Sequence, residues 1–519
     1  MSPVREQHYA VIGSGPSGMA CASALLESGA KVTVIDVGRD LAPEREAKRT
    51  ALAERSPREW SGAERAWLTS DLQRLGDGVP VKRLFGDEFV YSGAKWTLLN
   101  GKPPKNFGQW PSQALGGLSR VWGAALKRFD AQDLASWPIP LGTLERHYAA
   151  VEGLFAQTLR SVSVNDALPL SPQAHNLLSR WQAHQSALRK LGVKVLRASL
   201  AVSDRCQLCG MCMHGCPYGY IFSSADLVRL YKDHAAFAYR AGHIAERVEQ
   251  DENGARVLCV DDHGRSTTIS ADRVFVAAGV LETPRLMLAS FGSHDDGLTL
   301  RDSQYFLLPF LTRDANPRGT PLHTLSQLFL EIDGAVIGTN NVHVQLYTYN
   351  DFYAARMAVA LGPLRELMRP LAEFAGRRFV LAQGFLHSRD SGVAHLSLSG
   401  PSPHPLLAVA PTMPETVRPL LRKIWSRLGQ AGRLVGILAL SPLAESADVG
   451  RGYHSGASIP MSRSPMGWQS DTLGRPRGLK RIHVADASVL PEIPSGPVTL
   501  TIMANAHRIA HEAATLDRS

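Results

Sequence analysis

Four cysteines stand close together in the middle of the chain, at Cys206, Cys209, Cys212 and Cys216, and Pro217 follows the last of them. Their spacing, C-x2-C-x2-C-x3-C-P, matches the run by which bacterial ferredoxins hold iron–sulfur clusters. Thiolates two or three residues apart on a tight loop can converge on one cuboidal cluster, and soft sulfur ligands select such clusters or zinc over harder ions. The spacing therefore predicts a 4Fe-4S cluster.

Other interpretations of this loop stay open. Structural zinc sites use two cysteine pairs, usually at wider separation, and disulfides are unusual in a chain with no sign of export. In two-cluster ferredoxins the fourth cysteine of this run serves the other cluster. Cys216 must therefore turn back to the same cluster, or Cys21 or Cys259 replaces it, or the site binds zinc.

A second chemical signature lies near the start of the chain, where the apolar run YAVI leads into GSGPSG. In this pattern Gly13 makes the turn, Gly15 lets the backbone approach a pyrophosphate, and Gly18 lets the next helix pack on the strand. A second apolar strand ends at Asp36, whose carboxylate can accept hydrogen bonds from a ribose diol. Together these features predict a Rossmann-like dinucleotide site, and they do not separate FAD from NAD.

In three further segments the backbone could lie close against a flat cofactor. They are a glycine-rich loop, a strand that ends in small residues, and the start of a C-terminal helix that opens with a proline. The helix N-terminus can direct N–H groups and a positive dipole end at a cofactor carbonyl. The glycine-rich loop is equally typical of a tight turn with a packed tryptophan. The candidate cofactor-binding residues here are Gly116, Gly117, Ser119, Val121, Trp122, Gly279, Pro497, Val498 and Thr499.

Residues 296–446 differ from the rest, because their apolar and polar residues alternate as in antiparallel strands. The polar and aromatic residues that share a face of two predicted strands are His343, Gln345, Tyr347, Tyr349, Gln383 and His387. We expect this face to be wetted by solvent, and the alternative is that it walls a substrate pocket. An apolar helical pattern over 354–377 is expected to pack in the core, with a lid or a membrane-touching surface as alternatives. A helix is predicted over 226–239.

The chain of 519 residues is too long for one ordinary core, so two domains are expected. Its net charge of +9 is mild for this length and fits an arginine-rich solvated surface. An anionic substrate, an acidic electron carrier or an anionic membrane surface are alternative explanations of that charge. No basic run is interleaved with aromatics, so no nucleic-acid partner is expected.

The first residues, MSPVREQHYAVIGSG, contain no apolar segment typical of a signal peptide. The longest apolar run, over 434–440, is far too short to cross a bilayer. With free cysteines and the thiolate ligands predicted above, we expect a cytoplasmic protein without a transmembrane segment.

Taken in order, five blocks resemble the glucose–methanol–choline (GMC) oxidoreductase family, over nearly the whole chain. The blocks are Gly13–Gly18 with Asp36, GGLSRVWG at 116–123, VAAGVLETPRL at 276–286, HSGASIPM at 454–461, and VADASVLP at 484–491 followed by PVTLTIMANAHR at 497–508. The resemblance implies oxidation of an alcohol, often a sugar or a sterol, by hydride transfer to flavin N5. It also implies that the loop at 116–123 packs by the isoalloxazine and that Asp486 contacts FAD.

The fold class implied is α/β, with a Rossmann-like FAD-binding domain interleaved with an α+β substrate domain built on an antiparallel sheet, plus a small cysteine-rich cluster loop. We expect FAD-binding segments at 5–134, 225–295 and 447–519. The substrate domain is expected to have a helical segment at 135–200 and a sheet segment at 296–446, and the iron–sulfur loop is expected at 201–224.

The family's catalytic base is the histidine of an H-x-x-G-[ST]-x-x-M pattern, and His454 stands there with Ser458 and Met461 in register. A neutral imidazole can take the hydroxyl proton as hydride leaves carbon. Ala457 replaces the usual glycine of the pattern, which we expect to be a minor change.

A larger departure is Pro497, which stands where the family has a second active-site histidine or asparagine and which carries no polar side-chain group. Either a single base acts, or a partner comes from elsewhere in the chain. The candidates for such a partner are His343, His387 and Tyr347.

We therefore expect an FAD-dependent dehydrogenase that oxidises an alcohol group of a sugar or other polar metabolite, with electrons leaving through the cluster to a one-electron carrier protein or a quinone. One alternative is a reductase of an unsaturated or keto substrate that is fed by a ferredoxin-like donor. Another is a non-catalytic redox module whose cluster is structural.

Overall fold

A computed structural model gives the structure of the protein. It describes residues 7–70, 80, 82–160, 168–261, 263–292, 297–317, 319–348, 367, 374–400 and 404–518. Tyr349 and most of the helical pattern predicted over 354–377 lie outside the described residues.

A parallel sheet of five strands contains the first strand of the chain. From edge to edge its strands are β19 (Ile482–Val484), β8 (Arg273–Val276), β1 (His8–Ile12), β2 (Lys31–Ile35) and β4 (Phe237–Arg240). The central strands are almost wholly apolar and buried, as expected of a parallel sheet that is covered on both faces. The helix predicted over 226–239 is therefore wrong in its second half, because that half forms the edge strand β4.

The second sheet is antiparallel and has seven strands. They are β16 (Ile437–Ala439), β10 (Tyr305–Thr312), β13 (Phe379–Phe385), β12 (Val342–Tyr347), β11 (Leu328–Ile332) and β3 (Val193–Arg197), with β17 (Glu445–Ser446) also paired to β10. Every residue of β12 is buried, so the solvent-wetted face expected for this strand is wrong.

Two smaller antiparallel sheets complete the strands. One orders β15 (Leu406–Thr412), β14 (Val393–Ser399), β9 (Leu298–Asp302) and β18 (Ser455–Gly456). The other orders β5 (His243–Gln250), β6 (Ala255–Asp261) and β7 (Ser266–Ala271).

The described helices range from single turns to five turns. They are α1 (Pro16–Glu27), α2 (Pro43–Ala53), α3 (Gly62–Leu68), α4 (Ala94–Thr97), α5 (Glu145–Leu159), α6 (Pro172–Ala183), α7 (Gln185–Lys190), α8 (Ser224–Tyr231), α9 (Glu282–Phe291), α10 (Gly334–Ile337), α11 (Val417–Leu434) and α12 (Thr499–Leu516). Short 3₁₀ turns include Gly117–Arg120 and Ala487–Val489. Among the helices described here, none has the length and apolar character needed to cross a membrane.

The first and last helices pack together on the parallel sheet. Nine residues of α1 are buried, all of them small or apolar, and the Cys21 thiol donates to the Ala506 carbonyl of α12 at 3.3 Å. Small side chains let the two helices approach closely, which fixes α12 directly behind the glycine loop that follows β1.

The parallel sheet takes strands from all three of the predicted FAD-binding segments, at 5–134, 225–295 and 447–519. The seven-stranded sheet comes mainly from 296–446, with β3 added from the segment that was expected to be helical. The α/β class is confirmed, and the exact domain boundaries stay a prediction.

Candidate active site

The glycine loop after β1 has the geometry that its sequence predicts. Gly13 adopts φ +98°, and a side chain there would come within 2.5 Å of the Ala277 carbonyl oxygen. A side chain at Gly18 would overlap the Gly13 carbonyl, whereas a side chain at Gly15 would meet nothing within 4 Å. The first and third glycines therefore serve packing, and the second leaves the backbone open to a ligand.

Asp36 follows β2 and lies beside this loop. Its Oδ2 accepts hydrogen bonds from the Ser14 backbone N–H at 3.2 Å, from the Ser14 hydroxyl and from the Tyr239 hydroxyl at 3.3 Å. Burial raises the pKa of this carboxyl to about 6 in spite of these donors. Asp36 lines the large cavity described below, so a contact with a ribose stays a prediction.

The loop at 116–123 divides into packing and lining residues. Gly116 adopts φ +82°, and a side chain there would come within 2.6 Å of the Ala225 backbone nitrogen, so this glycine serves contact with α8. Ser119 donates to the Gly116 carbonyl at 2.6 Å, and the Trp122 indole N–H donates to the Phe222 carbonyl at 2.8 Å. Gly117, Ser119, Val121 and Trp122 line the cavity, whereas Gly116 does not.

Asp486 ties together the ends of two neighbouring parallel strands. Its Oδ2 accepts from the Gly279 N–H at 2.8 Å and from the Thr283 hydroxyl at 2.5 Å, and its Oδ1 accepts from the Ser488 N–H at 2.9 Å. Burial raises the pKa of this carboxyl. Asp486 and Gly279 both line the cavity.

The N-terminus of α12 completes the wall. The helix begins at Thr499, and its first bond runs from the Ile502 N–H to the Val498 carbonyl at 2.9 Å. Pro497, Val498 and Thr499 all line the cavity, so the positive end of the helix dipole lies at its edge.

These segments enclose one cavity of about 500 Å³. Ligand and cofactor sites are commonly of this order of size. The cavity runs from the glycine loop after β1 to residues of the seven-stranded sheet, among them Tyr305, Gln345, Tyr347, Gln383 and Phe385.

His454 lines the same cavity and is half-buried. Its ring stacks on Phe385 with centroids 4.3 Å apart, and its Nδ1 has no hydrogen-bond partner among the described residues. Burial, with a smaller contribution from His343, lowers the pKa of His454 to about 3. The imidazole is therefore neutral near pH 7 and offers an unprotonated nitrogen, and the same burial makes it a weaker base than an exposed histidine.

The backbone around His454 is fixed from both sides. The His454 carbonyl accepts from the Ser303 N–H at 2.9 Å, and the Ser455 hydroxyl donates to Asp302 Oδ1 at 2.8 Å. Ala457 adopts φ +56°, a left-handed conformation that costs an L-residue about 1 kcal/mol. This conformation explains why a glycine would suit the position, and Ala457 occupies it under strain.

The comparisons with known proteins bear on this arrangement. Family profiles described as GMC oxidoreductase match residues 25–305 and 438–506. The chain belongs to the GMC oxidoreductase family. Paromamine 6'-oxidase from Streptomyces fradiae is 26% identical over 330 residues, and 6'''-hydroxyparomomycin C oxidase from Streptomyces lividus is 27% identical over 337 residues. Each alignment covers 57% of this chain and 54% of the relative, so the chain matches about half the length of these relatives.

Among solved structures, pyridoxine 4-oxidase from Mesorbium loti superposes with a TM-score of 0.62 at 16% identity. The match covers 98% of this chain and 99% of that one, and at this identity it concerns the fold alone. The match therefore includes described residues between the two profile matches.

Three candidates were expected to replace the polar residue that this GMC oxidoreductase lacks at Pro497. His343 is fully buried and does not line the cavity. Its Nδ1 lies 2.7 Å from Glu331 Oε1. Tyr347 does line it, and the Tyr347 hydroxyl donates to Gln345 Oε1 at 2.8 Å. Of the candidates, Tyr347 is therefore the one in the cavity wall.

His387 also lies outside the cavity wall. Its Nδ1 accepts from the Arg389 N–H at 3.1 Å, and its Nε2 lies 3.7 Å from Glu492 Oε1. These contacts make it a cap of a short helical turn instead of an active-site group.

The four cysteines of the loop line a second, enclosed cavity together with Tyr218, Tyr220 and His323. All six cysteines of the chain are free, and Cys21 and Cys259 are buried in α1 and β6, away from this cavity. Neither of them can replace Cys216 without rearrangement. Burial raises the pKa of the Cys206 thiol to about 12 and that of Cys216 to about 11.

Within the described part of the chain, no group of three or more His, Cys, Asp or Glu side chains is arranged to hold a metal ion. The free space between the thiols is about 10 Å³, room for about one water molecule. A four-iron cluster is larger than this, so the thiols would have to rotate apart to bind one. The donor set of four sulfurs nevertheless suits a soft metal centre.

Proposed function

We propose that this protein is an FAD-dependent oxidoreductase that oxidises a CH–OH group of a polar small molecule, with His454 as the proton acceptor. The observation that carries the proposal is the position of His454, which lines the cavity that starts at the glycine loop after β1 and whose Nδ1 has no hydrogen-bond partner among the described residues. Relatives named as oxidases of paromamine and of 6'''-hydroxyparomomycin C support alcohol oxidation.

The residues present fit FAD. Gly15 and Gly117 leave backbone open at the cavity, Asp36 lies at the end of β2, and Thr499 begins a helix there. When bound, FAD would accept the hydride from the carbinol carbon as the C=O double bond forms. The hydroxyl proton is the remaining product, and His454 is placed to take it.

His454 is suited to this role because its Nδ1 has no described partner and its ring is fixed against Phe385. A positioned base contributes about 10²–10⁴-fold to a proton transfer. Tyr347 and Gln345 line the cavity with His454 and can orient the alcohol, which compensates for the missing polar group at Pro497.

The test is anaerobic mixing of the FAD-loaded protein with a panel of alcohols, followed by flavin absorbance. Bleaching without any added electron donor supports alcohol oxidation. Bleaching only by a reduced ferredoxin-like donor would instead indicate a reductase, and failure of every alcohol would contradict the proposal.

We propose further that Cys206, Cys209, Cys212 and Cys216 hold a 4Fe-4S cluster. The proposal is supported by the ferredoxin spacing and by the single cavity that all four thiols line. Met213, from the same loop, lines the large cavity, which brings this loop to the edge of the proposed FAD site. When bound, the cluster would supply a one-electron route to a carrier protein or a quinone.

The test is EPR of anaerobically purified protein before and after dithionite, with iron, sulfide and zinc measured on the same sample. A reduced-cluster signal with about four irons per chain supports the proposal. Zinc alone, or no metal, would make the loop structural and oxygen the first acceptor to assay.

We propose a cytoplasmic location, because a reducing compartment keeps six free cysteines reduced. Fractionation of the producing cells, with detection of the protein by antibody, tests this. Recovery from an oxidising compartment would contradict it.

A further inference from the structure

Arg451 stands on the wall of the large cavity without an anionic partner. It lies three residues before His454, lines the same cavity and is half-buried. Among the described residues, its guanidinium forms no salt bridge and donates no hydrogen bond. A guanidinium presents its N–H donors as a planar fork that matches a carboxylate in bidentate fashion. The wall therefore offers a cation whose hydrogen-bonding groups are not used by the described part of the protein.

The turn that carries Arg451 is fixed by backbone hydrogen bonds. The Arg451 N–H donates to the Asp448 carbonyl at 3.1 Å, and the Tyr453 N–H donates to the Gly450 carbonyl at 3.1 Å. Gly108 makes room for the arginine, because a side chain built there would lie 2.8 Å from Arg451 Cβ and 3.0 Å from its Cδ. The alkyl part of the arginine therefore lies across a glycine backbone, which limits its rotamers before a ligand binds and reduces the entropy lost on binding.

Arg451 belongs to the half of the cavity that contains the proposed base. A side chain built at the next residue, Gly452, would lie 3.2 Å from atoms of both Tyr305 and Phe385, on the seven-stranded sheet. Phe385 is also the ring on which His454 stacks. A dinucleotide pyrophosphate is expected instead at the glycine loop after β1, on the parallel sheet. The cation is therefore placed for the substrate and not for the phosphates of FAD.

The other charged groups of the wall do not neutralise Arg451. The carboxylates among the described lining residues already accept hydrogen bonds from protein groups, and they are those of Asp36, Glu282 and Asp486. Lys82 also lines the cavity, and its Nζ donates to the Trp122 carbonyl, so it adds positive potential. An ammonium group bound here would therefore meet cations and, among the described residues, no free carboxylate.

A neutral ligand and an anionic ligand differ in what they do for Arg451. Either ligand displaces water from the guanidinium, and a charge that loses water without gaining a counter-charge is costly. A hydroxyl group brings no counter-charge, whereas hydrogen bonds between charged groups are about twice as strong as those between neutral groups. The wall therefore favours a carboxylate over a hydroxyl group at this position.

We infer that this site takes a hydroxy acid, an alcohol that carries a carboxylate, and that Arg451 is the residue that selects it. The inference rests on the proposed function. The guanidinium of Arg451 binds the carboxylate, which directs the hydroxyl-bearing carbon toward His454. The carboxylate gains and loses no bond, so the hydride and the hydroxyl proton leave as in the proposed reaction, and Arg451 takes part in neither transfer.

The first experiment compares matched alcohols in anaerobic flavin bleaching by the FAD-loaded full chain at pH 7. Short hydroxy acids and methyl glucuronosides are each measured beside the uncharged carboxamide, the amine analogue and the phosphate ester of the same skeleton. We expect kcat/KM of each active acid to exceed that of its carboxamide at least about tenfold. A carboxamide, an amine or a phosphate ester that reacts as fast as the acid would overturn the inference and leave alcohol oxidation intact.

A second experiment needs no oxidation. Cyclohexanecarboxylate and cyclohexanecarboxamide, which carry no hydroxyl group, are titrated into the oxidised FAD-loaded protein at constant ionic strength, and calorimetry gives Kd. We expect the carboxylate to bind at least about tenfold more tightly. Equal affinities would overturn the inference. Tighter binding of the carboxylate with no bleaching by any alcohol would keep the carboxylate site and contradict only the proposed function.

Variants make both experiments specific to Arg451. We expect Arg451→Gln to bring the acid-to-carboxamide ratio of kcat/KM close to unity, mainly through a higher KM for the acid, because the charge is lost. Arg451→Lys keeps the charge without the fork and should retain part of the preference. The matched control is Arg463→Gln, at an exposed arginine of the same C-terminal segment, which should leave the ratio unchanged. With FAD content checked for each protein, an unchanged ratio in Arg451→Gln would overturn the inference.

Discussion

The large cavity and the small cysteine-lined cavity are built in opposite ways. The large cavity takes its walls from separate parts of the chain, from the loop after β1 to the start of α12, and each part contributes a few residues. The small cavity takes all four thiols from one loop of the chain. A site of the first kind depends on the whole fold, whereas a site of the second kind depends mainly on spacing and on local side-chain rotation.

The largest effect on the rate of flavin reduction should come from replacing His454, the proposed proton acceptor in the large cavity. We expect His454→Asn to slow anaerobic flavin reduction by an alcohol about 10²–10⁴-fold, because the hydroxyl proton loses its acceptor. FAD content should be unchanged, and stopped-flow absorbance gives the rate. His184→Asn, at an exposed histidine, is the control. A His454→Asn rate within about threefold of the wild type would show that another group takes the proton.

The next prediction tests whether the large cavity functions independently of the cysteine-lined cavity. We expect Cys216→Ser to abolish the reduced-cluster EPR signal and most turnover with one-electron acceptors, since the fourth thiolate is lost. Anaerobic bleaching by the alcohol should remain, because the large cavity is built from other segments. Cys259→Ser, in β6, is the matched control and should retain its iron. Loss of bleaching in Cys216→Ser would mean that the two cavities are one structural unit.

The pH dependence of flavin reduction sharpens the account of His454. Because burial lowers the pKa of His454 to about 3, the neutral base should be present throughout pH 5–8. The rate constant measured by anaerobic stopped flow should be flat over that range and fall only as the pH drops toward the lowered pKa. A rate that halves near pH 6.5 would show an imidazole with an unperturbed pKa.

The smallest effect concerns strain beside the base. We expect Ala457→Gly to raise the free energy of unfolding by about 0.5 kcal/mol, because relief of the left-handed strain exceeds the extra entropy of glycine in the unfolded chain. Ala51→Gly, at an exposed position in α2, should lower it by about 1 kcal/mol. Denaturant titration measures both. Equal destabilisation by the two changes would mean that Ala457 carries no strain.

The sequence predicted local backbone geometry well where one short pattern determines it. The roles of Gly13 and Gly18 follow from a strand–turn–helix pattern, and the structure shows the close contacts that exclude side chains there. The placement of His454 in the cavity also follows from its motif. Whether these residues bind FAD and abstract a proton stays a proposal.

Prediction from the sequence failed where packing between distant segments determines which residues are buried or form a strand. Alternation along β12 predicted a wetted face, but residues from elsewhere in the chain bury it, and alternation alone does not show what covers a sheet. The strand β4 was missed because four residues, Phe237–Arg240, carry little periodicity of their own. Gly116 belongs to a glycine-rich loop, and the structure adds a contact with Ala225 of α8 that the loop's sequence does not reveal; its contact with a cofactor stays a prediction.

The central place of β1 in a sheet whose edge strand is β19 has a consequence for biosynthesis. The first strand emerges from the ribosome about 470 residues before β19 (Ile482–Val484), and α12, which packs on α1, follows later still. Contacts so distant in sequence are slow to form, and domains in general fold as units during synthesis. The dinucleotide-type loop should therefore lack its C-terminal neighbours until translation is almost over, so its assembly is a late event in the folding of this chain.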